Sequence, residues 1–124
     1  MSKQDIGLIG LAVMGQLMAR TIQGEKGYMS PEKIKASIRP DNIHHPPTSL
    51  LCIENTHNSA GGIPLTVDQM KADWEISKEY GLGVHLDGAR VFNASIALGV
   101  DVKEVTKYAD TVQVCLSKGL SAPI

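Results

Sequence analysis

The sequence predicts an α/β fold in which parallel strands are joined by helical crossovers. Short apolar runs bounded by turn residues are typical of buried strands, and segments with a helical period and capping residues separate them. From residue 49 the elements follow the order strand, helix, strand, helix, helix, strand. Because helices lie between successive strands, parallel pairing is favoured over hairpins.

The first predicted element is IGLIGL at residues 6–11, a short strand that runs into a glycine turn. Such a turn should lead into a helix. However, QLMARTIQGEKGYM at residues 16–29 contains two glycines and no sustained helical period. We therefore expect a seam between Gly15 and Arg20.

A helix and a strand open the next region. Ser30 is a good N-cap, Pro31 suits the first helical position, and the helix PEKIKASI is expected to continue until Arg39 and Pro40 stop it. DNIHHPPT at residues 41–48 is predicted to be a loop. SLLCIE at residues 49–54 is predicted to be a buried strand.

A longer helix and the second strand of this region follow. Thr66 is predicted to cap a helix that continues to about Tyr80, with Gly81 placed to end it. LGVHLD at residues 82–87 is the next predicted strand. The apolar stripe of the helix is expected to consist of Val67, Met70 and Trp74.

Two short helices and a strand complete the chain. ARVFNASIAL at residues 89–98 is helical by pattern, with Gly99 after its end. DTVQVCL at residues 110–116 is predicted to be the last strand and leads directly into SKGL. Between them, DVKEVTKYA at residues 101–109 predicts a helix whose common face carries Val102, Val105 and Ala109.

The composition argues against several classes of partner. Twelve basic and thirteen acidic residues give a formal net charge of −1 without any basic block, so we expect no nucleic-acid partner. No apolar run approaches the roughly 20 residues of a membrane span. Cys52 and Cys115 lie inside apolar runs, so we interpret both as reduced thiols and expect a cytoplasmic protein. A small ligand is the favoured partner.

Each predicted strand from residue 49 onward ends in a polar cluster, at residues 54–58, 85–90 and 117–119. Ligands bind at the carboxyl ends of the strands in an open parallel sheet. Parallel pairing is therefore expected to bring side chains that are far apart in sequence to one edge: His57, Asp87, Arg90 and Lys118.

This set of side chains suits a specific chemistry. A lysine on a turn of small residues can form a Schiff base with an aldehyde cofactor, and an aspartate can keep the pyridine nitrogen of pyridoxal phosphate protonated. An arginine can bind a substrate carboxylate through two hydrogen bonds. The alternative interpretation is structural: Asp87 caps the next helix and pairs with Arg90, Lys118 is solvated, and the histidines are ordinary loop residues.

The motifs ENTHN, HLDGAR and CLSKGL, in this order and spacing, resemble those of threonine aldolases, which are pyridoxal-phosphate lyases of the beta-eliminating lyase group. The resemblance extends from about residue 20 to residue 124. It implies a partial large domain of the fold-type-I pyridoxal-phosphate enzymes. It also implies retro-aldol cleavage of L-threonine or L-allo-threonine to glycine and acetaldehyde, with a homotetramer or homodimer in the full-length family.

The same resemblance implies roles for individual residues. Lys118 matches the Schiff-base lysine, and Asp87 matches the partner of the pyridine nitrogen. Arg90 matches a residue that contacts the substrate carboxylate, and His44 matches a histidine near the substrate hydroxyl. No metal is expected.

Other parts of the aldolase pattern match less completely. His57 and Asn58 of ENTHN match a strand end that lines the cofactor pocket. The phosphate-binding Gly-Thr turn and the histidine that stacks on the ring are not recognisable upstream, and a later arginine and the small C-terminal domain do not occur before Ile124. We therefore expect the isolated chain to be a poor catalyst.

Residues 1–17 resemble a different family. MSKQDIGLIGLAVMGQ is similar to the start of 6-phosphogluconate dehydrogenase, with Gly10, Ala12 and Gly15 as a GxAxxG variant of the dinucleotide-binding turn. We accordingly divide the chain into a Rossmann-type strand-and-turn remnant, residues 1–17, and a fragment of a pyridoxal-phosphate domain, residues 18–124. An NADP-linked oxidoreductase and a non-catalytic remnant are the alternative functions, although a strand and a turn alone are not expected to bind a nicotinamide cofactor.

Overall fold

The computed structural model describes residues 27–40, 43–44 and 47–123. The predicted N-terminal strand and glycine turn, the seam and the division at residue 17 lie outside the described residues and stay predictions.

Three parallel strands form one sheet, which confirms the predicted pairing. β1 comprises Leu50–Glu54, β2 comprises Gly83–Gly88 and β3 comprises Thr111–Val114. The strand order is β1-β2-β3, so β2 lies in the centre. Because all three strands run in one direction, their carboxyl ends lie at the same edge of the sheet.

Two of the helices in the described part of the chain begin at their predicted caps, Ser30 and Thr66. The Ser30 side chain accepts a hydrogen bond from the Lys33 N–H, and Thr66 forms a capping box with Gln69. A 3₁₀ helix at Asn58–Ala60 was not predicted. The α-helices are α1 (Pro31–Ser37), α2 (Val67–Glu79), α3 (Val91–Leu98) and α4 (Val102–Thr106).

The core lies between the helices and one face of the sheet. Successive side chains of a strand point to opposite faces, so only every second residue of β1 and β2 meets the helices. Four such strand residues are at most 4% exposed: Leu51, Ile53, Val84 and Leu86. They form one cluster with the buried residues Ile34, Leu65, Met70, Val91 and Val105.

The buried face of α2 differs from the predicted stripe. Met70 is buried as expected, but Val67 and Trp74 are only partly buried, whereas Asp73 and Ser77 are fully buried. Ser77 Oγ donates a hydrogen bond to the Asp73 backbone oxygen at 2.7 Å. Within the described residues neither carboxylate oxygen of Asp73 has a hydrogen-bond partner, and desolvation raises the pKa of this group to about 7. A stripe predicted from apolar residues alone therefore omits Asp73 and Ser77 from the buried face.

The predicted strands are less buried than expected. Cys52 is exposed on the face of β1 that points away from the helices, and all four residues of β3 are exposed. Continuous apolar letters do not reveal that only one face of a strand is covered. α4 is also shorter than predicted, and Ala109 packs against the core from the segment that follows it. Both cysteines are free thiols, as predicted.

Candidate active site

The carboxyl ends of the three strands bring together a group of polar residues, which we call the carboxyl edge: Glu54, His57, Asp87, Arg90 and Lys118. Glu54 lies opposite Asp87 in the register of β1 and β2. Asp87 in turn lies opposite Gln113 of β3. The strand ends are therefore aligned at one edge, as the parallel pairing predicts, although these residues are far apart along the chain.

Asp87 lies on β2, on the face of the sheet opposite to the helices. Its Oδ1 accepts a hydrogen bond from the Ala89 N–H at 3.1 Å. Among the residues described, Oδ2 has no hydrogen-bond partner. α3 begins only at Val91, with Arg90 as its N-cap residue, so the interpretation that Asp87 caps this helix is wrong.

A buried asparagine fixes the chain as it leaves β1. The Asn55 N–H donates to the Asp87 backbone oxygen at 3.1 Å, which extends the pairing of the two strands. Its side-chain Nδ2 donates to the Leu65 backbone oxygen at 3.1 Å, and its Oδ1 accepts the Leu65 N–H at 3.0 Å. These bonds close the loop 55–65, which carries His57 and Asn58.

His57 is held by local contacts. Its Nδ1 accepts a hydrogen bond from the Ala60 N–H at 3.2 Å, so the neutral ring carries its proton on Nε2. Its backbone N–H donates to the Ile63 oxygen at 3.1 Å, and a Cβ added to Gly27 would lie 2.7 Å from His57 Cγ. These contacts give His57 a structural role in the loop, and its role toward a cofactor stays a prediction, as does that of the exposed Asn58.

Lys118 lies in an exposed turn that follows β3. The Ser121 N–H closes this turn by donating to the Lys118 backbone oxygen at 2.9 Å. Gly119 packs so closely against α3 that an added Cβ would collide with Asn93 Oδ1. A larger residue after the lysine would therefore require the exposed side chain of Asn93 to move.

The positive charges of the edge act on the same thiol. The Ser117 hydroxyl lies 3.2 Å from Cys115 Sγ and is the main reason that the pKa of this thiol is lowered. The charges of Lys118 and Arg90 lower it further. Lys118 and Arg90 therefore both favour the thiolate form of Cys115.

Arg90 pairs with Glu54 and not with Asp87. Arg90 Nη1 lies 3.9 Å from Glu54 Oε1, and no ion pair joins Arg90 to Asp87. The predicted surface pair of Asp87 and Arg90 is therefore wrong. Glu54 was part of a predicted polar cluster but received no role, although its position opposite Asp87 follows from aligning the ends of the first two strands.

His44 occupies a different place along the chain. It lies in an exposed turn at residues 43–44, in the loop that leads into the amino end of β1, whereas the other candidates follow carboxyl ends. Its predicted role near a substrate hydroxyl stays a prediction.

Residues 27–40, 43–44 and 47–123 contain no group of three or more His, Cys, Asp or Glu side chains that could hold a metal ion. In the same ranges no helix has the length and apolar character that crossing a membrane requires.

Comparison with known sequences identifies relatives over nearly the whole chain. The profile of the beta-eliminating lyase family matches residues 7–124. Low-specificity L-threonine aldolase 1 of Arabidopsis thaliana is 48% identical over 118 residues, which cover 93% of this chain and 33% of the relative. The low specificity L-threonine aldolase of Escherichia coli K12 is 42% identical over 116 residues, or 93% of this chain and 34% of the relative. The chain thus spans about a third of the length of these curated relatives.

A solved structure supports the fold. The threonine aldolase of Leishmania major superimposes with a TM-score of 0.63 at 23% identity, over 72% of this chain and 26% of that one. At this identity the match supports the architecture of the sheet and its crossovers.

Proposed function

This chain belongs to the beta-eliminating lyase family, and from that premise we propose that it carries the lysine-bearing edge of a pyridoxal-phosphate-dependent threonine aldolase. The proposed reaction cleaves L-threonine or L-allo-threonine to glycine and acetaldehyde. One observation carries the proposal: Asp87 lies one residue before the end of β2, Lys118 follows the neighbouring parallel strand, and Arg90 follows β2 at the same edge.

The side chains of the edge fit one end of pyridoxal phosphate. Asp87 Oδ2 is available to accept a hydrogen bond from a protonated pyridine nitrogen, because only Oδ1 is bound, to the Ala89 N–H. Lys118 is exposed and would hold the cofactor covalently through Nζ. In the described ranges we identify no turn of backbone amides for the phosphate, so the fit concerns the lysine-and-pyridine end.

Bound pyridoxal phosphate supplies a sink for the electron pair released when the bond between Cα and Cβ of the substrate breaks. Asp87 would accept a hydrogen bond from the protonated pyridine nitrogen and so maintain that sink. Arg90 would bind the substrate carboxylate through its guanidinium N–H groups. His44, or a water molecule, would accept the proton of the substrate hydroxyl, and the return of one proton to Cα would balance that removal and complete glycine.

We further propose that His57 and Asn58 line the cofactor pocket and that the working protein is a homodimer or homotetramer. Exposed apolar side chains at and after β3 support coverage by further protein: Val112, Val114, Leu116 and Leu120. A cytoplasmic location is part of the proposal and rests on the two free cysteines.

Acetaldehyde release from L-threonine tests the proposed reaction. With saturating pyridoxal phosphate we expect release above the rate of the free cofactor but well below about 1 per second, since no phosphate site is identified in the described residues. Lys118→Arg should abolish the excess, whereas Lys103→Arg, on an exposed position of α4, should leave it unchanged. An excess that survives in Lys118→Arg would contradict the proposal.

A further inference from the structure

Glu54 is the one acidic side chain of the carboxyl edge, besides Asp87, within the described residues, and it has no role in the reaction proposed above. It is the last residue of β1 and lies opposite Asp87, so both side chains lie on the same face of the sheet. Its Oε1 accepts a hydrogen bond from the Asn58 N–H at 3.1 Å. The carboxylate is therefore tied to the backbone at the start of the 3₁₀ helix.

Two basic side chains lie at the same distance from this carboxylate. Arg90 Nη1 is 3.9 Å from Oε1, and His57 Nε2 is 3.9 Å from Oε2. Both distances exceed those of hydrogen bonds, so Glu54 attracts the Arg90 guanidinium through charge without occupying its N–H donors. The donors of Arg90 remain available to a second carboxylate.

The alternative partner for Arg90 is Asp87, which lies three residues earlier at the same edge. An ion pair between them would occupy Asp87 Oδ2, the oxygen that has no protein partner in the described part of the chain. Glu54 competes with Asp87 for the guanidinium. The Asn58 N–H already holds the Glu54 carboxylate in place. Arg90 is the N-cap residue of α3, so a change of partner would move its side chain and leave the start of the helix in place.

We propose that Glu54 is a positioning residue that keeps Arg90 away from Asp87. In this role it leaves Asp87 free for the pyridine nitrogen and holds the Arg90 guanidinium ready for the substrate carboxylate. The inference rests on the proposed function, because it assigns Glu54 a purpose only if Asp87 serves the cofactor.

A double-mutant cycle on cofactor affinity tests this inference. The equilibrium affinity for pyridoxal phosphate is measured by absorbance titration in the wild type, Glu54→Gln, Arg90→Gln and the double variant. Glu54→Gln should weaken binding about fivefold, the size expected for a partly exposed ion pair, because Arg90 then moves to Asp87. In the Arg90→Gln background the same change should alter affinity by less than about twofold, since no guanidinium remains to move.

Two further variants separate the outcomes. Glu54→Asp retains the charge and should recover part of the lost affinity, and Glu75→Gln, an exposed glutamate of α2 paired with Lys71, should have no effect. An equal loss from Glu54→Gln with and without Arg90 would show a merely structural role and overturn the inference.

Lys118→Arg is titrated in parallel: if it binds the cofactor as tightly as the wild type, the proposed function itself fails and the inference fails with it. If Lys118→Arg binds weakly while Glu54→Gln binds normally, only the inference on Glu54 is overturned.

Discussion

The two faces of the sheet carry residues of opposite character, although the same three strands build both. Toward the helices, Leu51, Ile53, Val84 and Leu86 are almost completely buried. On the other face, residues paired across the strands are polar and accessible: the row of Cys52, His85 and Thr111, and the row of Glu54, Asp87 and Gln113.

This difference separates stability from chemistry. Apolar burial on the helix face contributes most of the favourable free energy of folding, because it removes large side chains from water. The open face makes few contacts that hold the domain together; one is the hydrogen bond between His85 Nδ1 and Thr111 Oγ1 at 2.8 Å. Residues that act on ligands can lie there without disturbing the core.

The largest loss of stability is expected from a cavity on the helix face. Leu86→Ala should lower the free energy of unfolding by about 2–5 kcal/mol, because Leu86 is fully buried in the centre of the core. His85→Ala, the next residue on the open face, should cost less than about 1 kcal/mol. Urea unfolding of both variants checks the contrast, and similar losses from the two would break it.

A carboxyl group, that of Asp73, is buried on the helix face among mostly apolar side chains. Its folded-state pKa, about 7, is raised by desolvation above an unfolded value of about 3.8. The folded state therefore binds a proton that the unfolded state has released. The contribution of Asp73 to the free energy of unfolding should be largest below about pH 4 and should fall as the pH rises to about 7, by at most about 4 kcal/mol.

Asp73→Asn should remove this pH dependence, because an amide does not titrate in this range. Denaturant unfolding curves recorded at about every pH unit between about pH 4 and pH 8 would measure how the free energy of unfolding depends on pH. Asp68→Asn, an exposed position in the first turn of α2, is the matched control and should retain the slope of the wild type. A wild-type stability that does not fall across this range would contradict the account of Asp73.

A smaller loss is expected where the core meets the carboxyl edge. Asn55→Ala removes both side-chain hydrogen bonds to the Leu65 backbone and leaves that buried backbone without partners. We expect a loss of about 2–3 kcal/mol in the free energy of unfolding. Asn58→Ala should cost less than about 0.5 kcal/mol, because Asn58 is exposed and its hydrogen bonds to Glu54 and Gly61 are made by backbone atoms.

Asp87, on the open face, should combine a small effect on stability with a large effect on chemistry. Asp87→Asn is expected to change the free energy of unfolding by less than about 1 kcal/mol, since the amide oxygen can still accept the Ala89 N–H. It should nevertheless weaken the binding of pyridoxal phosphate about tenfold or more, because a neutral amide cannot stabilise a protonated pyridine nitrogen. Absorbance titration and thermal unfolding of the same sample separate the two effects.

The sequence predicted where helices and strands lie better than it predicted which of their side chains are buried. Caps and glycines fixed the helix ends, because Ser30, Thr66 and Gly99 act through local backbone geometry that a short window contains. The exposed side of Cys52 and the burial of Asp73 depend on which element packs where, and a local pattern does not contain that information.

The site shows the same division. The strand ends identified the carboxyl edge because parallel pairing aligns them without any knowledge of side-chain positions. The pairing of Arg90 with Glu54 instead of Asp87 required distances between residues of different strands and helices. Sequence spacing favoured the nearer acid, and the structure places the guanidinium with the more distant one.

The central claim is that Lys118 is the residue that holds pyridoxal phosphate at this edge. Borohydride reduction with equimolar pyridoxal phosphate, followed by peptide mapping, measures this directly. Most of the label is expected on the peptide containing Lys118, and Lys118→Arg should lose it while Lys103→Arg retains it. Label spread over other lysines, or unchanged total label in Lys118→Arg, would contradict the account.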